Sequence, residues 1–380
     1  MKKLAIITTH PIQYNAPMFK LLSERRKINI KVFYTWEQSK EKVFDEKFGK
    51  VIIWDIPLLS GYDYTFTKNI SKNPSSGHFQ GVINPTLIEE IEKWQAEAIL
   101  VFGWNHNSHF KVMRYFKRKI PVYFRGDSTI IDNLTLFRKF ARNIALSIIY
   151  KFIDYAFYVG KNNKSYYLKY GLTEKQLIFA PHAIDNNRFS EKNKIYEKKA
   201  EEIRNKLNLS KNDIVFLFAG KFEAIKNPLL IIEVAARFPQ YKFLFVGNGH
   251  LEQKLKQKAG KNVVFLPFQN QLQMPVIYNI CDVFVLPSQG KGETWGLAVN
   301  EAMACGKPVL VSDKVGCAVD LVKNGQNGYI FKSNNIDDLI EKINLFENKY
   351  LEFGKESKKI IKNWSFEKIA LVIENKLINK

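Results

Sequence analysis

Short apolar runs rich in β-branched and aromatic residues alternate with amphipathic stretches along most of the chain. In the first half, residues 4–9, 30–35, 98–103, 121–125, 156–160 and 177–181 read as buried strands, with helical segments between most of them. Near-continuous apolar runs are what a parallel sheet covered on both faces requires, because neither side of such a strand meets water. A polar, lysine-rich break at 190–199 interrupts the pattern, which resumes with strands at 214–220, 242–247, 263–268, 282–288 and 308–312. The predicted class is therefore α/β, with two Rossmann-like doubly wound domains at 1–182 and 183–364, facing across a cleft. Residues 181–189, where a strand ends at Pro181 and a turn-rich stretch follows, read as the hinge. In 365–380, Phe366, Ile369, Ala370, Ile373 and Leu377 recur at helical spacing, and Leu371 and Val372 widen the apolar face. This predicts an amphipathic helix that packs back on the first domain. Open sheets of this kind bind ligands outside the carboxyl ends of their strands, so the chemistry is expected there.

Composition narrows the class without naming the chemistry. A length of 380 residues supports two domains with separate cores, and 46% hydrophobic against 25% charged residues, with no low-complexity tract, excludes a disordered chain. The three cysteines, Cys281, Cys305 and Cys317, form no CxxC pair, which argues against a disulfide framework or zinc cluster and fits a reducing cytosol. The apolar run at 4–7 is too short for a signal-peptide core, and the apolar stretch 144–160 is broken by Lys151 and Asp154. No membrane span is predicted, and a cytoplasmic location is expected. The formal charge of +21 implies attraction to polyanions, or lysines spread over solvated faces. Nucleic acid is set aside, because no zinc finger, helix-turn-helix or RNA-binding strand motif accompanies the charge.

The densest chemical signal lies at 282–313: a buried strand, a glycine-rich loop, a helix and the next strand. Glu293 stands in the loop and Glu301 eight positions later in the helix, with Gly296 and Leu297 at the helix start. A helix start offers unpaired N–H groups to an anion, and Gly290, Gly292 and Gly296 permit close backbone approach. A phosphorylated ligand is expected near this loop. The two carboxylates cannot hold phosphate and are better matched to sugar and ribose hydroxyls.

This stretch resembles the family 4 glycosyltransferases, whose pattern sets two glutamates with seven residues between them inside a PS…E…G…EAMA-x-G-x-PV segment. Pro287, Ser288, Glu293, Gly296, Glu301, Ala302, Met303, Ala304, Gly306, Pro308 and Val309 carry the match, although the loop before Glu293 is longer than in the pattern. Trp295, Gly296, Leu297 and Gly220 join Glu301 as expected donor-binding residues. Upstream, residues 218–228 give a strand ending at Gly220, then Lys221, a loop, Lys226 and a helix opened by Pro228. Two cations at a strand end neutralise a diphosphate leaving group, and Lys221 stands where the family has arginine, which keeps charge but loses bidentate geometry. Weaker matches follow at 181–189, at Gly247 and Gly249, whose glycines read as mainly structural, and at 324–331.

The first half departs from the family pattern. The loop after the first strand lacks paired glycines, and His10, Gln13 and Tyr14 are candidates there for acceptor recognition, or for packing and capping. Where the family carries a histidine at a middle strand end, this chain has Arg125, Gly126 and Asp127. Asp127 is the candidate for that catalytic part, with Arg125 either its ion-pair partner or an anion ligand. His106 and His109 after another strand complete the acceptor-side candidates. The resemblance implies a retaining glycosyltransferase with a GT-B fold, a nucleotide-sugar donor, no cofactor and no obligatory metal, and catalytic residues Glu293, Lys221, Lys226 and Asp127. A saccharide or lipid-linked saccharide acceptor in bacterial surface polysaccharide synthesis is expected. Basic residues Lys111, Arg114, Lys117, Arg118, Lys119, Arg138, Lys139 and Arg142 point to peripheral contact with the anionic inner face of a membrane. A catalytically idle nucleotide-sugar or saccharide-binding protein, or a nucleotide-sugar epimerase on the same architecture, stays open as an alternative.

Overall fold

The computed structural model describes residues 1–37, 43–45, 50–131, 135–190, 193–290, 292–346 and 349–379, with side chains described throughout except at 43–45, 50–52, 136–139 and 193. Two compact units divide the chain: one of 1–43, 57–181 and 366–380, the other of 44–56 and 182–365. Among the described residues, no helix is long and apolar enough to cross a membrane.

The first unit is built on strands β1 (Lys3–Thr8), β2 (Asn29–Tyr34), β5 (Asp63–Phe66), β6 (Ala98–Phe102), β7 (Val122–Arg125), β8 (Tyr155–Tyr158) and β9 (Leu177–Phe179); a short pair, β3 (Val43–Asp45) and β4 (Lys50–Ile52), lies between β2 and β5 in the chain. The seven strands run in the order β5-β2-β1-β6-β7-β8-β9. Every pairing in this sheet is parallel. Leu4, Ala5, Ile6 and Ile7 of β1 are all buried, as are Ile99, Leu100 and Val101 of β6, the signature of a sheet covered on both faces. One covering layer packs Val112, Met113, Phe116, Leu146, Ile149 and Tyr150 into the same core cluster as Ile99, Val101 and Phe124.

The edge strand β5 was not foreseen, since its sequence DYTF alternates and leaves Asp63 and Tyr64 exposed. The C-terminal helix Phe366–Ile378 belongs to this unit and packs on the helix Ala16–Glu24. Phe366, Ile369, Ala370, Ile373 and Leu377 are buried, but Leu371 is exposed, so the apolar face is narrower than its composition implies. Glu374 takes the remaining buried position and accepts from Arg25 at 2.7 and 2.8 Å.

The second unit holds β10 (Val215–Ala219), β11 (Lys242–Val246), β12 (Val263–Leu266), β13 (Val283–Leu286), β14 (Val309–Ser312) and β15 (Gly328–Phe331). Its order, β12-β11-β10-β13-β14-β15, is again parallel throughout. Both sheets reverse their strand order at one point, between β1 and β6 in the first unit and between β10 and β13 in the second. At such a switch the two following loops diverge to opposite faces and leave a crevice between them, which is where ligands bind.

Candidate functional site

In the second unit the switch brings together two loops that lie far apart in sequence. One follows β10 and carries Gly220, Lys221 and, on a short turn Ala224–Lys226, the second lysine. Asn227 takes a left-handed conformation (φ 51°) that reverses the chain, and Pro228 opens the helix Pro228–Ala235. The other loop follows β13 and carries Ser288 and Glu293. A main-chain hydrogen bond from Gln289 N–H to the Ile225 carbonyl, 2.8 Å, joins the two loops.

Glu293 is buried, and one carboxylate oxygen, Oε2, accepts from both Lys226 Nζ and Ser288 Oγ, the latter at 2.7 Å. The ion pair offsets the cost of desolvating the carboxylate, and Ser288 fixes which oxygen it uses. The Glu293 loop is further held by Val315–Cys317: Gly316 N–H donates to the Glu293 carbonyl at 3.2 Å and Cys317 N–H to that of Trp295 at 2.9 Å. Gly296 then turns the chain into the helix Leu297–Ala304 with φ 96°, where a β-carbon would lie 2.8 Å from Val315 Cγ1. Glycine is required there by both backbone angle and space. Lys221 stands half-buried directly after Gly220. A β-carbon on Gly247 would come within 2.0 Å of the Gly220 carbonyl, so that glycine sets how closely the β10 and β11 ends approach.

Glu301 is buried on the helix and accepts from Tyr278 Oη at 2.8 Å. Trp295 lies in the interior: its indole N–H donates to Asn300 Oδ1 at 2.9 Å, and its ring packs against Trp364 at 5.1 Å and His182 at 5.7 Å. Asn300 Nδ2 donates in turn to the His182 carbonyl at 2.9 Å. The site loop is thereby tied to residues at the start and end of the unit. Ser288 lies inside the recognised motif without a role being read for it; Tyr278, Asn300 and Trp364 carry no local signal, since only tertiary contact gives them their place.

In the first unit the switch sets the loop after β1, with His10, beside the loop after β6, with His106. His10 packs edge-on against Trp36 at 5.6 Å, and burial together with His106 pushes its pKa down to about 4. His106 is buried, its ring 5.0 Å from that of His109, and burial lowers its pKa too. His109 is wholly enclosed: Nε2 lies 3.0 Å from Thr35 Oγ1 and Nδ1 3.1 and 3.0 Å from the carbonyls of Phe102 and Gly103. Desolvation pushes its pKa down to about 3, so all three imidazoles stay neutral near pH 7. Nδ1 of His10 and of His106 are buried without a hydrogen-bond partner in the structure. Gln13 and Tyr14 sit half-buried in the turn before the helix Ala16–Glu24.

Arg125, at the end of β7, is buried and donates to the carbonyls of Ala180 and Pro181, each at 2.8 Å. Desolvation lowers its pKa to about 10, so it remains a cation. Its guanidinium ties β7 to the segment leaving β9. Asp127, half-buried, follows in a loop held by Tyr167, which donates to the Gly126 carbonyl at 2.9 Å, and by Asn163, which donates to that of Ser128 at 2.8 Å. Of the basic residues singled out earlier, Lys111, Arg114 and Arg118 are exposed. Lys117 is paired with Asp154 at 2.5 Å, and Lys119 lies 3.4 Å over the Tyr115 ring. The side chains of Arg138 and Lys139 lie outside the described residues.

The fold of two parallel sheets is matched in known proteins. Residues 199–364 fit the family described as glycosyl transferases group 1. That segment is similar to the group 1 glycosyltransferases.

Among curated relatives, an uncharacterised glycosyltransferase of Methanocaldococcus jannaschii is 29% identical over 54% of this chain and 60% of its own length. An Escherichia coli enzyme named UDP-Gal:alpha-D-GlcNAc-diphosphoundecaprenol alpha-1,3-galactosyltransferase is 35% identical over 35% of this chain and 36% of its own. A Campylobacter jejuni N,N'-diacetylbacillosaminyl-diphospho-undecaprenol alpha-1,3-N-acetylgalactosaminyltransferase is 28% identical over 54% of each. The chain thus spans about half the length of the curated relatives it matches. The sucrose-phosphate synthase of Thermosynechococcus elongatus superposes with a TM-score of 0.74 over 99% of this chain and 98% of its own at 16% identity. An Anabaena protein in complex with UDP and glucose superposes with 0.71 over 99% of each at 17%. At these identities the likeness shows the fold, which is GT-B with two Rossmann-like domains.

Proposed function

We propose that the chain is a retaining glycosyltransferase that moves a sugar from a nucleotide-sugar donor to a saccharide or lipid-linked saccharide acceptor in bacterial surface polysaccharide synthesis. The observation that carries this reading is the joining of Lys226, Ser288 and Glu293 at the β10–β13 switch, beside a helix opened by Gly296. The Anabaena structures that hold UDP and UDP-glucose support a nucleotide-sugar donor, and the diphosphoundecaprenol named in two relatives supports a lipid-linked acceptor.

In this reading the diphosphate lies against the free N–H groups of the helix Leu297–Ala304, with Lys221 and Lys226 supplying the positive charge that stabilises it as it leaves. No metal is assigned to that role. Glu293 holds Lys226 in the unloaded site and accepts hydrogen bonds from donor hydroxyls when the lysine turns to phosphate, while Glu301 is assigned to the ribose. A donor phosphate oxygen takes the proton of the incoming hydroxyl, so no covalent nucleophile is assigned. In the first unit, Asp127 is assigned to the reacting sugar. Neutral His10 and His106, each with a ring nitrogen lacking a partner, suit the exchange of hydrogen bonds with acceptor hydroxyls better than they suit an anion. His109, enclosed on both nitrogens, orients the cluster from behind.

The test is a thermal-shift screen against nucleoside diphosphates and their sugars, followed by donor turnover with Lys221→Ala and Glu293→Ala. Stabilisation by one nucleotide class and loss of turnover in both folded variants are expected. Undiminished turnover in both would refute the site, and stabilisation without any donor turnover would mark a binding protein instead.

A further inference from the structure

The loop after β7 holds Asp127 between two peptide groups that are both tied to one helix. Tyr167 Oη donates to the Gly126 carbonyl at 2.9 Å, and Asn163 Nδ2 donates to the Ser128 carbonyl at 2.8 Å. Asn163 and Tyr167 stand four positions apart in the helix Lys161–Lys169, a spacing that puts both on one face. Each is only 1% exposed. A buried amide and a buried phenol are costly unless hydrogen-bonded, and an apolar face would seat the helix at less cost. Here the polar groups are spent on the residues either side of Asp127. Asn163 Oδ1 also accepts from Val159 N–H at 3.0 Å, so the tie runs back to the end of β8. Arg125 anchors the start of the loop through the carbonyls of Ala180 and Pro181. Burial lowers the pKa of Arg125 and raises that of Tyr167, and the Asp127 carboxylate acts upward on both, which places its charge within electrostatic reach of each.

We propose that Asn163 and Tyr167 are positioning residues for the transfer reaction: by fixing the peptide groups on both sides of Asp127, they aim its carboxylate at the reacting sugar. The proposal rests on the assignment of Asp127 in the transferase reading. β7 lies next to β6, which borders the switch of the first sheet, and the loop leaves its carboxyl end, where such sheets bind ligands. With both flanking carbonyls held from the interior, the main chain at Asp127 is fixed on either side, whereas a loop held only at its ends leaves the carboxylate free to shift. A misplacement of about 1 Å is enough to cost roughly 10²-fold in rate. Amide and phenol donors hold the loop without adding charge beside the carboxylate. Neither residue is assigned a contact with the sugar, and each acts through Asp127.

The experiment compares the full-length wild type with Tyr167→Phe, Asn163→Ala, Asp127→Ala and the double variant Tyr167→Phe with Asp127→Ala, at a temperature where all are folded. Hydrolysis of UDP-glucose, UDP-galactose, UDP-N-acetylglucosamine and GDP-mannose is measured, and the one that the wild type turns over fastest serves as substrate. Tyr167→Phe keeps the ring packed against Phe124 at 5.9 Å and Tyr150 at 5.7 Å and removes only the hydroxyl. It is expected to lower kcat at least about ten-fold, with KM for the donor within about two-fold, and to speed hydrogen exchange at 126–129. In the Asp127→Ala background the same substitution should change kcat by less than about two-fold, because the group it positions is gone. Should Tyr167→Phe misfold, Asn163→Ala must show the same split between kcat and KM. Wild-type kcat in both Tyr167→Phe and Asn163→Ala, while Asp127→Ala loses turnover, overturns the positioning role and leaves Asp127 in place. An undiminished effect of Tyr167→Phe in the absence of Asp127 marks a merely structural role and overturns the proposal too. Full turnover by Asp127→Ala sinks the assignment of Asp127 and the positioning role with it; no turnover of any of the four sugars by the wild type sinks the transferase reading as a whole, and both assignments fall with it.

Discussion

Lys226 donates to Oε2 of Glu293, the oxygen that also accepts from Ser288, across 67 positions of sequence. A lysine held in this way has its charge compensated at the site, and in the proposed reading the donor diphosphate draws it away. Lys226→Ala should therefore lower kcat for donor turnover by roughly 10²- to 10³-fold, the range for loss of one electrostatic contact to the transition state. Glu293→Gln keeps the shape and the Ser288 bond, so it should retain nucleoside diphosphate binding while losing turnover. Steady-state kinetics and calorimetry on both variants check this. A Lys226→Ala enzyme with wild-type kcat would remove the lysine from the mechanism.

Trp295 braces the Glu293 loop from inside. Its indole N–H, Asn300 and the His182 carbonyl form a buried chain of hydrogen bonds, with Trp364 packed on the ring. Asn300→Ala strands the indole donor and the carbonyl together, each costing about 1 to 3 kcal/mol if left unsatisfied. A loss of roughly 2 kcal/mol in unfolding free energy and a red shift in tryptophan emission are expected. Weaker donor binding should accompany them, because Trp295 follows Glu293 by two positions. Stability within a few tenths of a kcal/mol of wild type would show that the chain of bonds is replaceable.

The strands that form the sheets were legible because parallel strands covered on both faces must be apolar nearly throughout, as Ala98–Phe102 and Val215–Ala219 are. Asp63–Phe66 escaped because an edge strand with one wet face carries no such run. The motif around Glu293 could be read locally; its contact with Lys226 could not, since that follows from the pairing of β10 with β13, a non-local fact. The same limit explains Trp295, whose place beside Glu293 suggested a ligand contact, whereas Asn300 and Trp364 turn it inward. Arg125 is a similar case: its charge suggested an anion or Asp127, and the structure spends both of its amino groups on the carbonyls of Ala180 and Pro181.

His109 makes stability depend on pH in a defined direction. Its pKa in the folded protein falls from 6.5 to about 3, so the unfolded chain binds the proton first. Stability from this group is complete well above pH 6.5 and is lost as pH falls below it, at a limiting slope of about 1.4 kcal/mol per pH unit until the folded pKa is reached. Between pH 7.5 and 5.5 the group should contribute a loss of about 1.4 kcal/mol. Denaturant unfolding of wild type and His109→Gln at both pH values isolates that term, because Asp282, His10 and the other groups titrate in both proteins. An equal pH response in the two proteins would show that His109 keeps its ordinary pKa in the fold.

Arg25 and Glu374 decide whether the end of the chain stays on the first unit. Glu374 is buried with both oxygens occupied by Arg25 Nε and one amino nitrogen, whereas the arginine side chain keeps 30% of its exposure. The carboxylate therefore has more to lose than the guanidinium, which can return to water. Arg25→Ala, which leaves the carboxylate buried and unpaired, should cost about 3 kcal/mol, near the lower end for breaking a buried pair. Replacing both residues, Arg25→Met with Glu374→Leu, fills the gap with apolar volume and should recover most of that loss. Hydrogen exchange along Phe366–Ile378 reports where the cost falls: faster exchange in this helix alone for Arg25→Ala, restored by the double variant, identifies the pair as the tie that seats the helix. Equal protection in all three proteins would assign that seating to Ile369, Ile373 and Leu377, with the ion pair adding specificity of register but little free energy.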